Sequence, residues 1–117
     1  MSYDVYLTET FQHCLKTLKK KYRNIKDDTI EIVRKLEDDP TIGDQIPGLN
    51  KEVWKIRVAS SDMKRGKRGG FRLIYLRKEH ERSVYLSAIY FKGEKEMMTS
   101  KEMENLLRKV NRELETK

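Results

Sequence analysis

The sequence predicts an α+β fold, an antiparallel sheet with helices packed on one face in the order β-α-α-β-β-β-α. Two observations carry this expectation. Apolar residues recur at helical spacing over residues 9–38 and again after residue 99, and at strand-like spacing between 53 and 91. Helices and strands therefore fall in separate blocks, the signature of an α+β layout. No repeat, low-complexity tract or Pro/Gly/Ser linker divides the 117 residues, so residues 1–117 are expected to form a single domain.

Tyr3 to Leu7 is short and β-prone, with Tyr3, Val5 and Leu7 on one side. From Glu9 to Tyr22, the residues Phe11, Cys14, Leu15, Leu18 and Tyr22 form a helical stripe. A second helix is expected over Asp27 to Asp38, with Ile30, Ile32, Val33 and Leu36 as its apolar side. Asp27 and Asp28 suit its positive N-terminus, and Pro40 stops it. Thr41 to Asn50 contains Gly43, Pro47 and Gly48 and reads as loop.

Val53 to Ala59 alternates: Trp54, Ile56 and Val58 point one way, Val53, Lys55, Arg57 and Ala59 the other. Phe71 to Arg77 and Val84 to Phe91 are nearly continuous in apolar and aromatic residues, as central strands are, and Lys78 to Ser83 suits a hairpin turn between them. Thr99 and Glu102 form a capping box for a last helix whose stripe is Met103, Leu106, Leu107, Val110 and Leu114. In this layout the sheet face bearing Lys55 and Arg57 stays open.

Aromatics at 9% and hydrophobics at 37% are too many for a disordered chain, although 38% of the residues are charged. No apolar run approaches the roughly 18 residues of a membrane span, and no signal-peptide pattern opens the sequence. The single cysteine, Cys14, leaves no internal disulfide and no cysteine-based metal cage. These features point to the cytoplasm. The net charge is +7, and it is concentrated. Residues 51–72 hold eight Lys/Arg against two acids, and residues 16–26 hold six Lys/Arg and no acid. Two basic blocks on a mildly acidic remainder form a directed positive surface, suited to a polyanion or an acidic protein.

The residue types exclude several chemistries. His13 and His80 have no second His or Cys at ligand spacing, so no metal or cofactor is expected. Cys14 lies on an apolar helix face, where a core cysteine is expected rather than a nucleophile. Gly66, Gly69 and Gly70 lack the spacing of a P-loop and lead into a strand, not a helix. The stretch from Lys64 to Arg72 packs five positive charges and three glycines into nine residues. Its first part, Lys64, Arg65, Lys67 and Arg68, reads as an electrostatic arm, and its glycines as a hinge to the strand that carries Arg72. Lys55, Arg57 and Arg72 would gather on one sheet face, where like charges repel unless an anion fills the space between them. An RNA backbone is such an anion.

Trp54-Lys55-Ile56-Arg57 followed by Gly69-Gly70-Phe71-Arg72-Leu73-Ile74-Tyr75 resembles the RelE/ParE superfamily of toxins. The insert GKRGGFR and the later Tyr90-Phe91-Lys92-Gly93-Glu94-Lys95-Glu96 resemble its HigB-like branch most. The resemblance covers most of the chain, including the order of elements. It implies the toxin of a type II toxin–antitoxin module, a metal-independent endoribonuclease that cuts mRNA on the ribosome and so inhibits translation. It also implies a cognate antitoxin, acidic or of helix-turn-helix type, as partner.

Carried over residue by residue, the resemblance assigns Lys55 as base or phosphate ligand, Arg57 as phosphate ligand and Arg72 as transition-state stabiliser. Lys92 or Lys95 stands where the family has a further basic residue. The family's base-stacking tyrosine has no counterpart at Met97-Met98, which leaves Tyr90 or Phe91 for that role. Alternatives from the same residues are a ParE-like DNA gyrase inhibitor and a non-catalytic RNA-binding module in which Tyr85, Tyr90 and Phe91 stack bases.

Overall fold

The computed structural model describes residues 2–62, 70–95 and 97–116. The basic residues Lys64, Arg65, Lys67 and Arg68, and the glycines Gly66 and Gly69, lie outside the described residues. The elements are β1 (Asp4–Leu7), α1 (Glu9–Lys19), α2 (Ile25–Asp38), β2 (Asp44–Gln45), β3 (Val53–Val58), β4 (Phe71–Lys78), a 3₁₀ turn (Glu79–Glu81), β5 (Ser83–Phe91) and α3 (Ser100–Glu115). The fold is α+β, as the blocks of periodicity predict.

α1 starts where Thr8 caps it, its hydroxyl accepting from the Phe11 N–H at 3.0 Å. It ends at Lys19, three residues short of the expected limit. A tight turn, in which Leu18 C=O accepts from the N–H groups of Lys21 and Tyr22, then drives the Tyr22 ring into the core. α2 begins two residues early at Ile25, which is fully buried. Its inner face is Ile25, Thr29, Ile32 and Leu36, at spacings of four, three and four. Ile30, expected on that face, is 41% exposed. At α3 the capping box forms: Thr99 Oγ1 accepts from the Glu102 N–H at 3.1 Å, and the Glu102 carboxylate accepts from the Thr99 N–H at 3.0 Å.

The sheet has the order β1-β5-β4-β3-β2. β5–β4–β3–β2 is antiparallel throughout, but β1 runs parallel to β5, so the sheet is mixed rather than wholly antiparallel. β2, inside the expected loop, is a two-residue edge strand that pairs Asp44 with Lys55 and Gln45 with Trp54.

The helices do not share one face. Phe11, Ile25, Ile32 and Leu36 of the first two helices pack with Trp54, Val58, Leu73, Tyr75 and Leu86. Met103, Leu106 and Val110 of α3 pack with Val53, Ile74, Leu76 and Ala88, which alternate with that set and so lie on the opposite face. An amphipathic stripe commits a helix to burying one side and leaves open which sheet face it buries that side on. Cys14 touches both cores. β1 pairs only with Ser83 to Leu86, and α1 flanks the rest of β5, its main contact with the sheet. Among the described residues, no helix is long and apolar enough to cross a membrane.

Candidate nucleic-acid interface

α3 covers only part of its face. Beyond the patch formed by Val53, Ile74, Leu76 and Ala88, the same face carries Lys55, Arg57 and Arg72. The register places Arg57 of β3 directly opposite Arg72 of β4, and Arg72 opposite Tyr90 of β5. The three residues form one row across the three strands, each step about 4.8 Å in the pairing direction. Lys55 stands two residues before Arg57, on the same side. Lys55 and Arg57 are exposed, while Arg72 is half-buried between its neighbours.

The electrostatics follow from this placement. Burial first, and then the neighbouring Arg57 charge, lower the pKa of Arg72, whose Nη1 donates a long bond to the Phe71 carbonyl at 3.3 Å. Burial raises the Tyr90 hydroxyl above the usual tyrosine range, and Arg72 opposes that rise. Asp44, paired in register with Lys55, brings one carboxylate to the margin of the basic patch.

Tyr90 joins the row through a β-bulge. Tyr75 pairs with Leu86 and Ile74 with Ala88, leaving Ser87 as an extra, fully buried residue. The insertion reverses the alternation of β5. Val84 and Leu86 face the α1/α2 side, as do Ile89 and Phe91, while Ala88 and Tyr90 face the other way. Phe91, an alternative base-stacking ring on sequence grounds, is instead turned into the core. It packs 5.2 Å from the ring of Tyr22 and 6.0 Å from that of Phe71. Tyr85 sits at the far end of the sheet, stacked on Tyr6 at 5.3 Å. The signal for the bulge was a lone serine inside an apolar run; alternation counted straight through Ser87 puts Tyr90 on the wrong face.

The segment entering β4 is tightly set. Gly70 has φ +117°, and a Cβ there would lie 2.5 Å from the Val58 carbonyl oxygen. Its own carbonyl accepts from the Lys92 N–H at 3.1 Å. Gly70 is thus a pinned backbone crossing between the ends of β3 and β5. On the other side, Ser61 N–H donates to Asp28 at 3.0 Å, and Asp62 accepts from Asn24 at 2.9 Å, tethering the end of β3 to α2.

Lys92 follows β5 at the same end of the sheet as Arg72. Lys95 forms an ion pair with Glu102, the capping-box carboxylate, which ties it to the start of α3. His13 and His80 are both exposed, one on α1 and the other in the 3₁₀ turn before β5.

No protein-family model matches the chain. Solved structures do resemble it. A mutant of the E. coli toxin RelE in the free state superposes with a TM-score of 0.58 at 20% identity, over 82% of this chain and 90% of that one. The fold is that of RelE toxins. A Mycobacterium tuberculosis RelBE2 toxin–antitoxin complex gives 0.58 at 19% identity, over 78% of this chain and 99% of the matched one. The intact E. coli RelBE toxin–antitoxin complex gives 0.54 at 19%, over 75% and 94%. The RelE-like sheet explains why β3, β4 and β5 can present one row of side chains from three strands. Its residues differ enough from those toxins that the row must be read on its own chemistry.

Proposed function

We propose that this chain is a RelE-like toxin of the HigB-like branch, an endoribonuclease that cuts mRNA on the ribosome without a metal. The observation that carries this reading is the row Arg57–Arg72–Tyr90, with Lys55 beside it. Two forked cations and an aromatic ring lie on one rigid, solvent-facing surface. The fold shared with RelE toxins, two of them in complex with antitoxins, supports the toxin role and a cognate antitoxin.

The reaction suits such a surface. The ribose 2′-hydroxyl gives up its proton, and its oxygen attacks the adjacent phosphorus. The bond to the 5′-oxygen breaks, and that oxygen takes a proton. The products are a 2′,3′-cyclic phosphate and a 5′-hydroxyl. The phosphorane formed on the way carries extra negative charge, which planar guanidinium forks match well. Arg57 and Arg72 would grip the non-bridging oxygens from two neighbouring strands. Arg72, held by the sheet, would give more in the transition state than in the ground state. Lys55, exposed on the same face two residues before Arg57, would act as base or second phosphate ligand. Lys92 would add charge on the leaving side. Tyr90 would stack on a base, and Lys64, Arg65, Lys67, Arg68 and Lys95 would contact RNA or ribosome backbone. An acidic or helix-turn-helix antitoxin would neutralise the same positive surface.

The deciding experiment programmes ribosomes with a defined mRNA and maps the cut ends. Wild-type protein should leave 2′,3′-cyclic phosphate termini, and Arg72→Ala should lower the rate by about 10²–10³, as for loss of one oxyanion donor. Intact mRNA together with inhibited DNA supercoiling would instead favour the gyrase-inhibitor reading.

A further inference from the structure

At the end of the sheet away from the arginine row, a cavity of about 580 Å³ opens between the last turn of α3 and the edge strand β1. Tyr6 and Tyr85, paired in register across β1 and β5, line it from the sheet, their rings stacked 5.3 Å apart. Tyr6 is 48% exposed, so the aromatic surface is open to a partner. Glu81 and Glu115 bring two carboxylates to the lining. Lys78 also lines the cavity, but its ammonium is held by Glu52 at 2.9 Å. Lys109 and Arg112 of α3 line a different cavity, against the start of α1. On a chain of net charge +7, this corner is acidic and aromatic. It lies at the Lys78 end of β4, six residues from Arg72 and about 20 Å away at strand spacing.

We propose that this cavity receives the guanidinium group of an arginine presented by a protein partner. The site is independent of RNA cleavage, and Glu81 and Glu115 would repel a phosphate from it. Three separate features favour a cation here. The tyrosine rings carry negative faces that attract a cation placed over them. The two carboxylates add Coulomb attraction. α3, sixteen residues long, ends at Glu115 and turns the negative end of its dipole toward the same space.

The geometry favours arginine over lysine. A planar guanidinium can lie on a ring and still direct N–H groups sideways to carboxylates, which a compact ammonium does less well. Glu81 accepts from the Tyr85 hydroxyl at 3.1 Å, which holds its carboxylate beside the ring. A carboxylate bonded in this way keeps lone pairs for a second donor. The cavity is larger than one guanidinium needs, and Leu114 offers an apolar wall for the methylene stem behind the charged head. A side chain carried on a polypeptide therefore fits better than a small free cation.

The test titrates the protein with a capped glycine pentapeptide whose central residue is arginine, lysine or citrulline, and follows the ring signals of Tyr6 and Tyr85 by NMR. The arginine peptide should shift both rings saturably, and the lysine peptide should bind more weakly. Citrulline keeps the shape of arginine without its charge and should bind about tenfold more weakly, as expected when a charged donor becomes neutral. Tyr6→Leu, which keeps apolar area but removes the ring, should weaken the arginine peptide about fivefold. Glu115→Gln should weaken it about threefold. Both positions are exposed, so the two variants should keep the wild-type amide spectrum elsewhere. Absence of saturable shifts at Tyr6 and Tyr85, equal binding of the citrulline peptide, or unchanged affinity in both variants overturns the proposal. Spermidine saturating the same shifts more tightly than the arginine peptide also overturns it, because the site would then belong to a free polyamine. None of these readouts depends on cleavage, so loss of the nuclease reading leaves the site standing, and its own failure leaves that reading intact.

Discussion

Arg57 and Arg72 face each other directly across β3 and β4, two guanidinium side chains on one face with no acid between them in the register. Like charges directly opposite in a sheet destabilise it by a few tenths of a kcal/mol up to about 1 kcal/mol. The pair therefore works against folding, a cost that the proposed RNA phosphate between the two guanidinium groups would offset. Replacing Arg57 with Gln should leave the thermal midpoint unchanged or slightly higher while cleavage falls steeply. A clear loss of stability in Arg57→Gln would mean that the pair is structural and that the site has been misplaced.

Gly70 sets where Arg72 points. Its positive φ and its close approach to the Val58 carbonyl both forbid a side chain. Gly70→Ala should destabilise the protein by about 1–3 kcal/mol, the usual cost of a strained backbone position. Because the same residue holds the Lys92 amide, activity should fall further than the stability loss accounts for. Equilibrium denaturation alongside a cleavage assay at low temperature, where the variant stays folded, separates the two effects. A variant that is both stable and active would show that the backbone crossing is not required.

Much of the basic face is legible in the sequence, because β3 is half-buried and its alternation survives: Lys55 and Arg57 fall together without reference to any other strand. Arg72 follows once β3 and β4 are paired. Tyr90 does not follow, since one unpaired residue, Ser87, reverses every side chain after it and apolar runs conceal such insertions. The side on which α3 packs is hidden for a different reason. Its stripe of Met103, Leu106 and Val110 would fit either face, and only Ile74, Leu76 and Ala88 decide between them. β1 carries no mark of its direction, because four residues pair equally well parallel or antiparallel. The ion pair of Lys95 with Glu102 is hidden because the sequence shows for Glu102 only its place in the capping box.

The Glu113 carboxylate near the end of α3 caps the start of α1. It accepts from the N–H groups of Glu9 and Thr10, both at 2.9 Å, and meets the Thr10 hydroxyl. With Thr8 taking the Phe11 N–H, three of the free donors of α1's first turn are satisfied. The negative charge also suits the positive helix end. Glu113→Ala should cost about 1–2 kcal/mol, in the range of a lost cap, and Glu113→Gln less, since it keeps an acceptor. Thermal melts of the two variants test this. Equal losses in both would mean that packing, not capping, is what Glu113 supplies.

Tyr75 gives the fold an alkaline limit. It is fully buried beneath Trp54, with its hydroxyl donating to the Pro40 carbonyl at 2.7 Å. Burial pushes its pKa up to about 12, and a hydrogen bond from the Gly43 backbone pulls it back only in part. In the unfolded chain the phenol titrates near pH 10. Between those values the unfolded chain has lost the proton while the folded protein still holds it. The unfolded state then binds fewer protons, and stability falls as pH rises from about 10 toward 12. Below pH 10 both states are protonated and Tyr75 adds no slope. Tyr75→Phe leaves the Pro40 carbonyl without its donor, which should cost about 1–3 kcal/mol at neutral pH. The same variant should flatten the alkaline decline, although Tyr85 and Tyr90, whose pKa values are also raised by burial, keep part of it. Urea denaturation at pH 8, 10 and 11 measures both effects, and a decline in Tyr75→Phe as steep as in the wild type would show that this phenol does not set the limit.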